Sequence, residues 1–334
     1  MPVSNATITA INGIVVGHVT DTTHLTGVTV IRFGSEGARA AVSVQGAAPG
    51  TRETDLLEPG NLVEKVHALV LSGGSAYGLD AATGVMAALE SEGIGLPVFD
   101  GVVVPIVPAA VLFDLQVGSS AVRPSDGWGR LAAEEANSQP VLSGNVGAGT
   151  GATVGKLLGP SSVTKGGLGN ALIELDSGIK VSALVAVNAV GEVVDSSTGE
   201  TIAGVRSEKP GNYESAVDIA LNSQSAKPLI GTNTTIGVVV TNAQLTTTQL
   251  KKIANMAHDG LARAVRPVHT QFDGDTMFAM SMPNSAQSGE SVAESLLNTV
   301  GIAAAKVMEL AIIDAVKSAE SLGGVVASCD WAKK

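Results

Sequence analysis

A polar triplet stands at the entrance to a continuous apolar run in the last third of the chain. Asn233, Thr234 and Thr235 come directly before the run Ile236–Val240, which reads Ile-Gly-Val-Val-Val. A short run of β-branched residues is typical of a strand that is buried on both faces. Few structural reasons place a hydroxyl side chain at the first position of such a strand. This junction therefore constrains both the fold and the chemistry of the chain.

The chemistry depends on the bond that precedes Thr234. If the Asn233–Thr234 bond is cut, Thr234 becomes a new N-terminus. One residue then supplies a nucleophile, its Oγ, and a base, its own α-amino group. An unperturbed α-amino group has a pKa of about 7.7–8.0, which suits a base near neutral pH. We therefore expect Thr234 to be the reactive residue and Thr235 to be the next residue of the strand.

The composition allows a large core. The chain has 334 residues, of which 45% are hydrophobic and only 15% are charged, which argues against disorder. The net charge is −11, and the only Lys/Arg pairs are Lys251-Lys252 and Lys333-Lys334. Nucleic acid and anionic membrane surfaces both select clustered positive charge, so neither is an expected partner.

Targeting and metal signals are also missing from the sequence. No Lys or Arg precedes Arg32, and the longest apolar stretch, residues 102–113, is interrupted by Pro105 and Pro108. The single cysteine, Cys329, excludes an internal disulfide and fits a reducing compartment. None of the five histidines forms a zinc-binding pattern. We expect a soluble cytoplasmic protein with no metal and no organic cofactor.

Strands come in runs with helices between the runs, which favours a layered α+β fold over strict βαβ alternation. Residues 8–16, 26–33 and 38–44 are predicted as strands. The segment Thr246-Thr247-Thr248 predicts a helix cap, and an apolar stripe from Leu250 to Leu261 follows it. Residues 206–230 are more polar and are the best linker in the chain. Such a segment, just before Asn233, is where cleavage is tolerated.

Two glycine-rich segments could carry function. Residues 147–152 match G-x-G-x-x-A, but no buried strand precedes them, so nucleotide binding is not supported. Lys156 lies just beyond this loop as a lone cation, and by itself a surface lysine is the simpler interpretation. Tyr77 lies in the segment 73–78, which joins a buried strand to a helix whose N-terminus offers N–H groups to an anion. Taken alone, Tyr77 is a packing residue.

Each of three further polar residues fits either a structural or a catalytic role. Asp273 and Asp275 flank Gly274, an arrangement that is typical of a turn but could also orient an ammonium group. Asn188 ends the apolar run 181–187 and is either a strand-end turn residue or an oxyanion donor.

Four segments together resemble the L-aminopeptidase/D-esterase family, which includes the β-peptidyl aminopeptidases. They are more similar still to its nylon-oligomer endohydrolase branch. The resemblance extends roughly from Val28 to Met282. The segments are Gly73–Leu79 (GGSAYGL), Val187–Gly191 (VNAVG), Asn233–Ile236 (NTTI) and His269–Thr276 (HTQFDGDT).

The resemblance implies a four-layer αββα sandwich of the N-terminal-nucleophile-hydrolase type, made as one domain over residues 1–334. It implies self-cleavage between Asn233 and Thr234 into fragments 1–233 and 234–334. It also implies no cofactor, and a tetramer of processed pairs. The roles it implies are Thr234 as nucleophile, Asn188 as oxyanion donor, Lys156 beside the nucleophile, Tyr77 as an active-site tyrosine, and Asp273 and Asp275 as the paired acidic residues.

The substrate implied by the resemblance is a peptide or small amide. The aminopeptidase branch has a serine nucleophile and a Ser-x-Glu pair, whereas this chain has Thr234 and Asp273-Gly274-Asp275. Specificity for α- or β-aminopeptides is therefore open. Acyl transfer to an amine, and non-catalytic binding of a small molecule on the same fold, are the alternative functions.

Overall fold

The computed structural model describes residues 5–222, 232–282 and 294–333. Most of its strands are short, and the long ones belong to two sheets. In chain order the strands are β1 (Val15–Asp21), β2 (Thr26–Arg32), β3 (Ala38–Val44), β4 (Thr51–Arg52), β5 (Lys65–Val66), β6 (Ala68–Ser72), β7 (Leu96–Phe99), β8 (Val102–Val104), β9 (Ala109–Val111), β10 (Thr153–Val154), β11 (Thr164–Lys165), β12 (Gly167–Glu174), β13 (Lys180–Asn188), β14 (Glu192–Val194), β15 (Thr201–Ala203), β16 (Val205–Arg206), β17 (Tyr213–Glu214), β18 (Thr234–Thr241), β19 (Val265–Arg266) and β20 (Thr276–Ser281).

The described helices include two long ones in the C-terminal third. They are α1 (Ala81–Ser91), α2 (Asp126–Glu134), α3 (Ala216–Asn222), α4 (Thr247–Ala264), α5 (Glu294–Lys317) and α6 (Ser328–Trp331), with 3₁₀ turns at Ile8–Ala10, Asp55–Leu57, Ser75–Asp80 and Gly147–Gly149. The predicted cap of α4 is confirmed, since Thr246 and Gln249 form a reciprocal capping box.

Two sheets face each other and helices cover their outer sides. The first sheet has the order β1-β2-β6-β9-β4, and the second has the order β12-β13-β18-β20-β3-β5. One apolar cluster joins the facing sides of both sheets. A second cluster lies between the first sheet and α1 and α2, and a third lies between the second sheet and α4 and α5. This is the predicted αββα layering.

Strand β18 lies at the centre of the second sheet, antiparallel to β13 and parallel to β20. Its side chains alternate: Ile236, Val238 and Val240 face the first sheet, and Val239 faces the helices. Burying each aliphatic side chain contributes about 1.5–3 kcal/mol. By the same alternation the side chain of Thr234 faces the space between the two sheets.

Helix α5 forms much of the outer layer on the second sheet, against α4, β12 and β13. Residues Ser295–Lys317 are long and apolar enough to cross a membrane, with mean hydropathy 1.7, and 56% of their most apolar stretch is buried inside the protein. A single helix of this kind is a weak indication of a membrane protein, because core helices have the same composition.

Two local predictions were wrong. The strand predicted over residues 8–16 is a 3₁₀ turn at Ile8–Ala10 followed by β1, which begins at Val15, because Gly13 adopts a positive φ of 86° between them. The predicted linker 206–230 contains β17 and α3 up to Asn222. The remainder of that segment, residues 223–230, lies outside the described residues.

Candidate active site

The Asn233–Thr234 junction is buried between neighbouring strands. Thr234 opens β18 and pairs in register with Asn188, the last residue of β13. On the other side Asn233 forms a parallel bridge with Asp273. Cross-strand partners have Cβ atoms about 4.5–5.5 Å apart, so the sheet itself brings Thr234 and Asn188 together. Asn233, Thr234 and Asn188 are all buried.

The carbonyl oxygen of Asn233 accepts two hydrogen bonds. Gly274 N–H donates to it over 2.8 Å, and Thr234 Oγ donates to it over 2.5 Å. A Cβ at position 274 would lie 2.8 Å from both Thr234 Oγ and Ala48 O, which requires glycine there. In the sequence Gly274 stands out only as the residue between two aspartates. Its role depends on a backbone N–H, for which the sequence carries no signal.

Lys156, just after β10, extends its side chain to the Asn233–Thr234 junction. Its Nζ donates to Asn188 O over 3.0 Å, to Asn188 Oδ1 over 2.8 Å and to Thr232 O over 2.8 Å. Three acceptors match the three donors of an ammonium group, whereas a neutral amine has only two. Burial lowers the pKa of Lys156 to about 7, and the nearby charges of Asp273 and Asp114 oppose this shift.

Both the oxygen and the nitrogen of the Asn188 side-chain amide form hydrogen bonds within the protein. Its Oδ1 accepts from Thr153 N–H over 3.0 Å and from Lys156. Its Nδ2 donates to Phe113 O over 3.0 Å and to Thr232 O over 3.2 Å. The amide that was expected to stabilise an oxyanion therefore donates to the carbonyl of Thr232, one residue before the carbonyl of Asn233.

The two aspartates hold the start of β18 from the other side. Asp275 Oδ1 accepts from Thr235 N–H over 2.7 Å, and Asp275 Oδ2 accepts from His269 N–H over 3.2 Å and lies 2.8 Å from His269 Nδ1. Asp273 Oδ2 accepts from Thr270 N–H over 2.7 Å. Burial and the neighbouring Asp275 raise the pKa of Asp273 to about 6. Both aspartates are thus buried in the segment just before β20, and the side chain of Asp275 also binds the start of β18.

His269 is a further residue of this network, and no individual role for it was predicted from the sequence. It adopts a positive φ of 56°, unusual for a residue with a side chain. Its ring meets the buried ring of His258 edge-on, with centroids 4.8 Å apart. Neither the backbone angle of His269 nor its contact with His258 has a signature in the spacing of histidines along the sequence.

Tyr77 lies apart from the other predicted site residues. It belongs to the 3₁₀ turn Ser75–Asp80, its side chain is 60% exposed, and the guanidinium of Arg123 lies 3.9 Å from its ring centroid. Its neighbours Ser75 and Ala76 line a cavity of about 270 Å³ that reaches Thr234, whereas Tyr77 does not line it. The structure thus brings Thr234, Asn188, Lys156 and the two aspartates together. Tyr77 is exposed and lies outside this group.

A second cavity of about 280 Å³ lies on the Lys156 side and borders Thr232 and Asn233. Phe113 lines both cavities and separates them at the junction. Within residues 5–222, 232–282 and 294–333, no group of three or more His, Cys, Asp or Glu side chains is placed to hold a metal ion. The chemistry available at the junction is that of a hydroxyl, an ammonium, amides and carboxylates.

Known structures define the class. The L-aminopeptidase D-Ala-esterase/amidase from Ochrobactrum anthropi, described as a variant of the Ntn hydrolase fold, matches with a TM-score of 0.73 at 22% identity, over 98% of this chain and 91% of its own. A Burkholderia sp. β-aminopeptidase matches with a TM-score of 0.70 at 22% identity, over 100% and 93%. The chain therefore has the Ntn hydrolase fold.

The family follows from the sequence comparisons. The model of peptidase family S58 matches residues 6–328, and the chain belongs to that family. An uncharacterized aminopeptidase of Mycobacterium leprae (strain TN) is 43% identical over 96% of this chain and 93% of its own. The 6-aminohexanoate-oligomer endohydrolase of Kocuria sp. (strain KY2) is 32% identical over 87% and 81%. Family membership supports a peptidase or amidase activity.

Proposed function

We propose that the protein is an amide hydrolase that cleaves its own Asn233–Thr234 bond and then uses Thr234 as an N-terminal nucleophile. The observation that carries the proposal is the junction itself. Thr234 Oγ lies 2.5 Å from the carbonyl oxygen of the bond that it would attack, and Gly274 N–H already donates to that oxygen. A buried threonine at a strand start needs neither arrangement for packing.

In the self-cleavage step, Thr234 Oγ attacks the carbonyl carbon of Asn233. The negative charge that develops on Asn233 O is stabilised by Gly274 N–H, as an oxyanion-hole donor does. The C–N bond then breaks, and the proton lost by Oγ ends on the departing nitrogen. Water hydrolyses the resulting ester, giving a carboxylate on Asn233 and a free amine and hydroxyl on Thr234.

In the turnover step, the Thr234 amine takes the proton of Oγ while Oγ attacks a substrate amide. Asn188 Nδ2 and Lys156 Nζ both donate to Thr232 O in the uncut chain. Once residues 232–233 withdraw, these donors are free for the oxyanion of the substrate. Losing one such donor typically costs about 2.7–4 kcal/mol. Asp273 and Asp275 orient the new amine and Lys156, and water releases the acyl product.

The test is the intact mass of the purified chain, compared with two neighbouring threonine variants. The wild type is expected to give fragments 1–233 and 234–334, and Thr234→Ala to stay at full length. Thr235→Ala is the matched control, because Thr235 is also buried and its Oγ has no hydrogen-bond partner among the described residues. It should cleave like the wild type. Cleavage of Thr234→Ala at Asn233, or an intact wild type after long incubation, refutes the proposal.

The assembly is also part of the proposal. The hairpin β7–β8 presents a group of exposed apolar side chains: Leu96, Val98, Phe99, Val102 and Val104. Contiguous apolar surface of this kind typically marks a protein–protein contact. We propose that it joins copies of this chain in a homo-oligomer, in line with the expected tetramer.

A further inference from the structure

We infer that the cavity beside Lys156 is the acyl subsite and that it takes a neutral, apolar acyl group, not one that carries a free ammonium beside the scissile carbonyl. The substrate class would be alkanoyl and N-acylated amides. This inference rests on the proposed function, because it assumes that Thr234 attacks an amide at the junction. It differs from the aminopeptidase activity in the names of several relatives.

The location follows from the chain's own scissile bond. Residues 232 and 233 lie on the acyl side of the Asn233–Thr234 bond, and both line the cavity of about 280 Å³. A substrate that reacts with the same Oγ places its acyl group where these residues lie. The cavity volume of about 280 Å³ is just below the range of about 300–1,000 Å³ that is usual for ligand pockets, which favours a small acyl group.

The lining has the chemistry of an apolar pocket with a positive end. Its side chains include Phe113, Val117, Pro160, Val163 and Val325, and Lys156 is its charged member. Among the described residues, no aspartate or glutamate lines this cavity or the neighbouring cavity at Thr234. An ammonium placed here would find no carboxylate partner, and the protonated Lys156 would repel it.

The carboxylates near the junction are already bound within the protein. Asp273 and Asp275 are buried and accept hydrogen bonds from Thr270 N–H and from Thr235 and His269 N–H. Asp114 follows Phe113 but is also buried. It accepts from Gly74 N–H over 2.7 Å and from Thr26 Oγ over 2.7 Å. Each of the three aspartates is held by hydrogen bonds within the protein, and none of them lines either cavity.

The test compares two substrates with the same carbon chain, hexanoyl p-nitroanilide and L-2-aminohexanoyl p-nitroanilide. The assay is run at pH 6.5, where an α-amino group with a pKa of about 7.7–8.0 is charged. We expect kcat/KM of the processed wild type to be at least tenfold higher for the hexanoyl compound. Equal values, or a preference for the amino compound, overturn the inference while leaving the hydrolase intact.

A second test adds a negative charge to the lining of the cavity beside Lys156. Gln116 lines the cavity, and Gln116→Glu adds a carboxylate without changing the shape of the side chain. It should raise kcat/KM for the amino compound several-fold relative to the hexanoyl compound. Gln139→Glu is the matched control, since Gln139 is exposed and lines neither cavity, and it should leave the ratio unchanged. A ratio that Gln116→Glu does not move also counts against the inference.

Binding separates this inference from the proposed function. If the wild type is shown by mass to be processed but hydrolyses neither compound, calorimetry with hexanamide and L-2-aminohexanamide measures the preference of the cavity directly. Tighter binding of hexanamide, by tenfold or more, supports the acyl subsite, whereas an unprocessed wild type refutes the proposed function and is distinguished by its intact mass. Equal or reversed affinities overturn the subsite.

Discussion

The charge of Lys156 should set the alkaline limit of activity. Its Nζ donates to Asn188 O, Asn188 Oδ1 and Thr232 O, and under the proposed function the substrate oxyanion replaces Thr232 O in turnover, so three N–H donors are needed in both states. Deprotonation removes one donor and the positive charge together. Because burial lowers the pKa of Lys156 to about 7, this loss falls within the working range of the enzyme. The perturbation that tests it is Lys156→Arg, since a guanidinium stays charged at every accessible pH.

The magnitude follows from the pKa. A lysine with a pKa of about 7 is about 10% protonated at pH 8 and about 1% protonated at pH 9. If turnover needs the ammonium, kcat/KM falls about tenfold over that pH unit in the wild type. The arginine fork fits the three carbonyls less well, so Lys156→Arg should be slower at all pH values. Its kcat/KM should nevertheless stay level between pH 8 and 9.

The assay is the pH profile of kcat/KM with an acyl p-nitroanilide, on protein shown by mass to be processed. Lys165→Met is the control, because Lys165 is another buried lysine whose pKa burial lowers to about 7. It contacts Gly149, Ala152 and Gly166, outside the junction. Lys165→Met should keep the wild-type fall. A level wild-type profile, or the same fall in Lys156→Arg, refutes the reasoning.

Three other variants test separate parts of the structure. Lys165 binds more protons in the unfolded than in the folded state between pH 7 and 10.5, so the wild-type free energy of unfolding should rise with pH there, by at most about 1.4 kcal/mol per unit from this group. Lys165→Met should lower that slope, measured by urea unfolding, without removing it, because the pKa of Lys156 is also lowered to about 7. Gly274→Ala places a Cβ 2.8 Å from Thr234 Oγ and from Ala48 O, so mass spectra over time should show self-cleavage slowed at least tenfold, and unchanged kinetics would contradict the role of this glycine. Phe99→Asp charges the exposed hairpin and should reduce the assembly size in light scattering, whereas an unchanged mass would exclude this hairpin as the contact.

Local patterns in the sequence predicted the parts of the fold that depend on local physics. The run after Thr235 is a buried strand, and the cap at Thr246 starts α4. The αββα class was a property of the family resemblance, since periodicity established only layers. The start of β1 was misplaced because a positive φ at Gly13 breaks what looks like a continuous β-rich run.

The site was predictable where a residue acts through its side chain. Asn188 and Lys156 meet at the junction because β13 carries one and the chain after β10 carries the other. Gly274 was missed because it acts through its backbone N–H, and His269 because the loop conformation that brings it to Asp275 has no signature in the sequence. The exposure of Tyr77 depends on how the 3₁₀ turn sits on the surface, which a sequence motif does not specify.

Residues 232 and 233 occupy the hydrogen-bond donors that turnover would need under the proposed function. Gly274 N–H donates to Asn233 O, and both Lys156 Nζ and Asn188 Nδ2 donate to Thr232 O. A substrate oxyanion therefore has no vacant donor among these three until residues 232–233 move away. Under the proposed function, cutting one bond has two consequences: it creates the amine that activates Thr234, and it removes the covalent link that holds those donors occupied. We therefore expect an uncut Thr234→Ala chain to bind hexanamide more weakly than the processed wild type, because its own backbone still fills the acyl side.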